Sequence, residues 1–517
     1  MIAATRQHRI GYLGTLLAVI LLPVSSGAAT WYILPDGSGD APTIQAGVDS
    51  AAAGDTVLLA TGTFTGVGNR DIDFRGQPIT VTSEHGPDST IVDCQNLGRG
   101  FYFESSEGPS SVLSRLTIQN GNALTGGGIY CRFAGPTISG NVIRRNEATT
   151  SGGGIYHALA PAGADGEIVG NIITGNTAGD RGGGIIVQSG SPSISGNEIT
   201  GNNADRGGGL VLSTSASLVT DNLIENNSAT SKGGGIYSIG TGKTPTIDGN
   251  TVVGNTCDLV GGGIYVDITS TIIENTVIAN NQAGTLGGGV YCWVEGDPTI
   301  RHCTIVGNGG GVNASGVVAT DGDPTIHNTI IAFSTHGPAM LCFGTATPVV
   351  TCCDIYGNAG GDVLCGVDGG DNTYTDPLFC NIAEGDYTLD PASPCAPANS
   401  PCNLLIGALP ATCVGSAIGG GEPPRETSLF QNVPNPFNPS TTIRYTVGEP
   451  GGYVSLRVYD VTGRVIRVLF DGAAGPGEKT VTWDGDNEQG KRVASGVYFY
   501  RLTAPGFART MKLVVLK

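Results

Sequence analysis

At 517 residues the chain exceeds what one hydrophobic core supports, so at least two domains are expected. Its 84 glycines, 6% aromatic content and 14% charged content suit a turn-rich β fold, and 39% hydrophobic residues argue against disorder. Of the net charge of −18, residues 30–428 carry 13 Lys/Arg against 37 Asp/Glu, while residues 429–517 carry 11 against 7. So acidic a body repels nucleic acid, and it would repel an anionic polysaccharide unless a cation such as Ca²⁺ screened the contact. No other cofactor is identified.

The first 29 residues read as a signal peptide. Arg6, His8 and Arg9 precede an uncharged apolar run from Ile10 to Val24, and Ser25 to Ala29 offer small residues for cleavage. The run is shorter than the ~20 residues that span a bilayer, so no transmembrane segment is expected in the mature chain.

A short amphipathic helix is expected from Pro42 to Ala51, followed by a strand over Gly54–Leu59. A helix over the open end of a coil would block edge pairing.

A repeat occupies the middle of the chain. Gly-Gly-Gly followed by an apolar residue starts at Gly126, Gly152, Gly182, Gly207, Gly233, Gly261, Gly287 and Gly309. Between triplets, two asparagines five apart recur as Asn141/Asn146, Asn171/Asn176, Asn197/Asn202, Asn222/Asn227, Asn250/Asn255 and Asn275/Asn280. The seventh copy has Cys303 and Asn308. Three short strands joined by tight corners account for about 25 residues, one turn of a three-sided parallel coil whose copies stack ~4.8 Å apart. Asparagine tolerates left-handed backbone, which suits a corner, and its amides can bond along the stack.

Alternation assigns faces. After each triplet the first residue (Ile129, Ile155, Ile185, Leu210, Ile236, Ile264, Val290, Val312) and the third (Cys131, His157, Val187, Leu212, Ser238, Val266, Cys292, Ala314) point inward. The middle residue, Tyr130, Tyr156, Ile186, Val211, Tyr237, Tyr265, Tyr291 and Asn313, is expected in solvent. The β-helix should run through 30–414, about a dozen coils. Eight of the 13 cysteines fall between Cys342 and Cys413, which reads as a disulfide-stapled, loop-rich end with connectivity left open.

The phrase from Pro42 to Gly66 and the G-N-x-I-x-x-N coils resemble right-handed parallel β-helix proteins of the pectin-lyase-like superfamily. The glycine–asparagine pattern is also similar to repeats of chlamydial polymorphic outer-membrane proteins. The resemblance implies a right-handed coil and does not imply an activity.

A linker over 415–428 leads into 429–517, where strands are expected at Thr442–Val447, Val454–Tyr459, Arg464–Phe470, Lys479–Trp483, Gly496–Leu502 and Thr510–Leu516, an immunoglobulin-like β-sandwich. The stretch Leu429–Thr441, the "LRVYDVTGRVIRVL" and "GVYFYRL" phrases and the terminal "TMKLVVLK" resemble the type IX secretion system type A sorting domain and, equally, the Ig-like domain of the flagellar hook-capping protein. That resemblance implies export across an outer membrane, with the export machinery as partner of this domain.

For function, the candidate ligand-binding residues are the cations before successive triplets, Arg181, Arg206 and Lys232, and the tyrosine ladder Tyr237, Tyr265 and Tyr291, which would stack on sugar rings. No catalytic residue is identified. The acidic pairs Asp71/Asp73 and Asp321/Asp323 are the nearest to a dyad, and the histidines stand singly. The chain is expected to be a secreted or cell-surface β-helix with a binding, adhesive or structural role, its partners extracellular polysaccharide or cell-surface components. The alternative is a carbohydrate-active enzyme, a polysaccharide lyase or glycoside hydrolase.

Overall fold

The computed structural model describes residues 27–161, 163, 165–293, 297–311, 313 and 315–413, and then 427–430, 432, 437, 440–448, 450–460, 464–505 and 507–515. Most of the expected signal peptide and nearly all of the linker lie outside the described residues. The chain divides into two compact units, one taking in residues up to Phe379 together with Ala383–Ala411, the other Cys380–Ile382 and Thr412–Lys517.

The first unit is a parallel β-solenoid of about a dozen turns. Successive coils contribute strands to four sheets, here named in the order each coil visits them. Sheet A has 14 strands from Thr30–Ile33 to Val367–Asp368, and sheet B has 12 from Gly62–Phe64 to Asp354–Tyr356. Sheet C has eight short strands from Asn122–Thr125 to Gly309–Gly310, and sheet D has 11 from Ile72–Asp73 to Met340–Phe343. Sheet C is an addition to the three sides expected, and it exists because the stretch between the second asparagine and the glycine triplet is itself extended. The rungs are parallel, and those of sheet D run in register, as in Ile129↔Ile155↔Ile185↔Leu210↔Ile236, while sheet C shifts register at Ala123/Thr125 and Ala204/Arg206.

The inward rows form one continuous core in which Ile138, Ile168, Ile194, Val219 and Ile247 of sheet A face Ile185, Leu210 and Ile236 of sheet D. Cys131 and Cys292 lie in this core with no exposure, as the alternation indicated. At the N-terminal end Ile44–Ser50 is helical, with Thr43 as N-cap, its Oγ1 accepting from Ala46 N at 3.2 Å, so Pro42 lies before the cap. The helix buries Ile44, Gly47 and Val48, and a Cβ at Gly47 would meet Ile33 Cδ1 at 2.8 Å.

The asparagines line the A–B and B–C corners as two buried stacks. Each Oδ1 accepts from the backbone N–H and the side-chain amide of the preceding copy, as Asn227 does from Asn202 and Asn176's partner Asn202 does from Asn176, all at 3.0 Å. Two expectations are corrected here. The left-handed residue is the one before the ladder asparagine, such as Gly201 at φ 62° or Asn226 at φ 54°. In the sixth copy Asn275 and Asn280 take that left-handed position, at φ 48° and 55°, while Thr276 and Asn281 enter the ladders. The eighth glycine run also differs: Gly309–Gly310 belongs to sheet C, and the sheet D rung opposite Val290 is Val317, not Val312. Val312 and Ala314 lie outside the described residues.

The end of this unit is stapled as expected, by Cys342–Cys365 and Cys352–Cys402, with Cys380–Cys413 beyond. A strap, Ala383–Ala411, folds back over the outward face of sheet B. Beneath it that face is apolar (Val277, Ala279, Val306, Ile330 and Ala332), whereas earlier coils carry Thr174, Glu198, Thr200 and Glu225 there. Asn280 Nδ2 donates to the Tyr387 hydroxyl at 3.0 Å and Ala408 N to Thr304 Oγ1 at 3.0 Å. Gly407, at φ 105°, crosses so closely that a Cβ would meet Ile330 Cδ1 at 2.8 Å.

The second unit pairs Ser428–Leu429, Thr441–Val447 and Gly477–Trp483 in one antiparallel sheet. The other holds Val465–Ala474, Gly452–Tyr459, Gly496–Ala504 and Phe507–Val515 in that order. Phe437, Ile443, Trp483 and Tyr500 fill the core between them, and the Tyr500 hydroxyl accepts from Asn432 N and donates to Phe430 O. This is the expected Ig-like arrangement of alternating strands.

Candidate functional site

All six candidate residues line the corner where sheet C turns into sheet D, spread over successive coils. The glycine triplet makes the turn. Its first member has positive φ (Gly233 65°, Gly261 71°, Gly287 66°), and a Cβ there would lie 2.8 Å from the Cβ of Tyr265 or Tyr291 and 3.1 Å from that of Tyr237. Glycine is therefore required both by the backbone and by the ring beside it. The residue before the triplet and the tyrosine after it consequently face one another across a tight, re-entrant corner.

That geometry corrects the solvent-facing assignment of the tyrosines. Tyr237, Tyr265 and Tyr291 do point away from the main core, but their exposures are 1%, 2% and 2%. They form a second apolar cluster with Ile186, Val211 and Val318, closed by Val260 and Leu286 from the facing row. Along the solenoid axis Tyr265 stacks on Tyr291 at 5.1 Å and 10° while Tyr237 meets Tyr265 edge-on at 5.4 Å and 67°, and within its own strand Tyr291 stacks on Trp293 at 6.1 Å and 17°. The faces of Tyr265 and Tyr291 are thus turned to one another. Burial raises all three phenol pKa values, reinforced at Tyr237 and Tyr265 by the charge of Asp267. Tyr130 and Tyr156 of earlier coils are half-buried and stack at 5.2 Å, with the Arg99 guanidinium 4.6 Å over Tyr130.

The cations do form one row, Arg181 beside Arg206 beside Lys232 in successive coils. Each is met by a carboxylate. Asp180 pairs with Arg206 and lies 3.5 Å from Arg181 Nε, and Asp205 lies 3.3 Å from Arg206 Nε. Lys232 Nζ donates to Asp267 Oδ2 at 3.1 Å, and the Tyr237 hydroxyl donates to the same oxygen at 3.1 Å. The ammonium also lies 4.8 Å from the Tyr265 ring centre. Asp267, 7% exposed, escaped the sequence reading although it occupies the outward position two residues after Tyr265, where an acid opposite a lysine is the available signal.

The acidic pairs are engaged in turns. Asp71 Oδ1 accepts from Arg99 N and Asp73 Oδ1 from Arg75 N, while Asp321 and Asp323 cap Thr345 and Thr347. Asp71, at φ 51°, precedes its strand, so it does not share a strand face with Asp73. Among the described residues no three His, Cys, Asp or Glu side chains gather as a metal site.

A family model described as the right-handed β-helix region matches residues 88–267 and 258–377, more than half of the chain, and one for the FlgD Ig-like domain matches residues 438–506. No curated protein matches the chain. Among solved structures, pectate lyase Pel9A is 13% identical over 75% of this chain and 97% of its own, with a TM-score of 0.37. The PL6 family alginate lyase AlyGC is 14% identical over 76% and 60%, with a TM-score of 0.34. Dimeric latent PorU from Porphyromonas gingivalis is 24% identical over 19% of this chain, with a TM-score of 0.16, and the chain spans only a tenth of its length. The stacked coils and the extent of the first of these matches make this chain a member of the right-handed β-helix family.

Proposed function

We propose that this is an exported β-helix protein with a binding, adhesive or structural role at the cell surface or in the medium, its Ig-like unit serving as the sorting signal read by the export machinery. The supporting observation is the mutual neutralisation of the C–D corner. Arg181, Arg206 and Lys232 are each matched by a carboxylate, and the tyrosines are packed as structure. Such a corner holds its charges in a row of ion pairs along a packed ring cluster, which suits a binding or structural surface. Extracellular polysaccharide or cell-surface components are the partners this reading assigns, with Ca²⁺ as the screening cation for an anionic chain.

The test is to present the purified protein with a panel of neutral and acidic polysaccharides, with and without Ca²⁺, measuring binding and reducing or unsaturated ends. Binding without product supports the proposal, and product formation replaces it with the lyase or hydrolase alternative. For export, deletion of Leu429–Lys517 should hold the protein inside the cell envelope. Normal release of the truncated chain would remove the sorting role.

A further inference from the structure

The strap over sheet B is fastened at one buried carboxyl. Asp354 begins the last strand of sheet B and has no exposure. Its Oδ1 accepts from the backbone N–H of Thr375 at 3.2 Å, and its Oδ2 accepts from the thiol of Cys395 at 3.2 Å. Its backbone also pairs in parallel with Thr373. One side chain thereby joins three pieces of chain: the terminal strand of the sheet, the segment leaving it, and the returning strap. Cys395 is itself fully buried among Ile330, Ala332, Leu389 and Ile406.

The groups facing this carboxyl are Asp376 on the outgoing segment, Asp362 on the turn after the strand, Cys395 on the strap and Cys353 beside it on its own strand. Cys352 and Cys402 are joined to each other. All of these are acidic or neutral. Burial, aided by the two neighbouring carboxylates, pushes Asp354 up to about 7 against the opposing hydrogen bonds from Cys395 and Thr375. An ionised Asp354 can regain water most readily if the strap lifts, because the strand is held by the parallel ladder while the strap, apart from the Cys352–Cys402 disulfide, is held by isolated bonds such as Ala408 N to Thr304 Oγ1.

We propose that Asp354 is a pH-operated clasp, holding the strap closed over sheet B when neutral and releasing it locally when ionised, so that the apolar face at Val306, Ile330 and Ala332 is uncovered. The Cys352–Cys402 disulfide keeps the released strap tethered. The direction follows from linkage. The folded value lies above the ordinary 3.8, so the closed state's advantage is complete below that pH, is lost as the pH climbs to about 7, and falls no further beyond it.

Hydrogen exchange of the full chain at pH 5 and pH 8, corrected for intrinsic rates, reads the clasp directly. Amides of the strap, such as those of Leu389 and Ile406, should lose about tenfold or more of their protection at pH 8, while Ile194 in the middle of sheet A keeps its own. Asp354→Asn cannot ionise and should abolish the difference. Cys395→Ala removes a bond that favours the carboxylate and should move the upper end of the loss to higher pH. Equal strap protection at both pH values in the unaltered protein overturns the proposal. So does a pH dependence that survives Asp354→Asn or, should that variant not fold, one whose upper end Cys395→Ala does not move to higher pH.

Discussion

Asn202 gives both its backbone N–H and its side-chain amide to a single oxygen, Oδ1 of Asn227 one coil further on, each at 3.0 Å, while its own Oδ1 receives the same pair from Asn176. The corner is therefore a continuous chain of side-chain amides in a buried row, in which every copy satisfies the backbone of its neighbour.

Replacing Asn227 with leucine leaves the backbone N–H and side-chain amide of Asn202 without their acceptor. It also removes the donor to Ile199 O, which Asn227 Nδ2 meets at 2.8 Å. At about 1–3 kcal/mol for each buried group left unpaired, thermal unfolding should shift down by several degrees. Asn226→Gly, at the exposed left-handed position next to it, should be neutral or slightly stabilising. Calorimetry of the two variants checks both.

The glycine corner makes a second comparison. Gly261→Ala places a methyl group 2.8 Å from Tyr265 Cβ on a residue at φ 71°, and Tyr265→Ser empties a ring from the second apolar cluster. Loss of so large a buried side chain costs about 3–5 kcal/mol, so both variants should unfold at clearly lower denaturant than the parent. A Tyr265→Ser protein of unchanged stability would mean that the ring is in solvent.

The contrast between these sites shows what could be read from the amino acids. The inward ladder from Ile129 to Val290 follows from alternation, which tells a side chain's direction. It does not tell whether a second surface lies on the other side, and that is why Tyr237, Tyr265 and Tyr291 were placed in solvent. Their burial depends on the angle between sheets C and D and on Val260 and Leu286 across it. The slip at Asn275 has a different origin: Asn275/Asn280 and Thr276/Asn281 are both five apart, and only the hydrogen bonds choose between them. Six strands of the Ig-like unit were legible to within about four residues at each end, because most are bounded by proline, glycine or aspartate, while the short Ser428–Leu429 strand was not foreseen. Asp354 holds the strand position that Thr304 and Ile330 hold in the two preceding coils, so no repeated residue type marked it.

Lys232 and Asp267 should behave as one unit. Lys232→Met leaves Asp267, 7% exposed, with only the Tyr237 hydroxyl on Oδ2. Asp267→Asn leaves the ammonium over the Tyr265 ring. Each single change should destabilise, and the double variant should be more stable than the sum of the two losses predicts, since it strands no charge. If the cation row binds an anionic chain, only Lys232→Met lowers that affinity. A double-mutant cycle in denaturant, paired with binding measurements, separates the structural role from the binding role.

His157 offers a dependence on pH opposite in sign to that of Asp354. Its ring lies in the inward row of sheet D between Cys131 and Val187, 1% exposed, and neither nitrogen has a hydrogen-bond partner among the described residues. Burial lowers its pKa to about 4, only partly offset by Asp165. Because the folded value lies below the ordinary 6.5, the unfolded chain takes up the proton first, so stability falls as the pH drops from about 6.5 towards 4. The loss from this one group is about 3 kcal/mol. Asp354 works in the opposite direction over much of the same range, so in the unaltered protein the two partly offset each other. His157→Leu isolates the term: relative to the parent, the variant should gain about 3 kcal/mol between pH 6.5 and pH 4, whatever its stability at pH 7. Denaturant titrations of both proteins across that interval decide it, and parallel curves would show that the buried imidazole takes up its proton without opening the core.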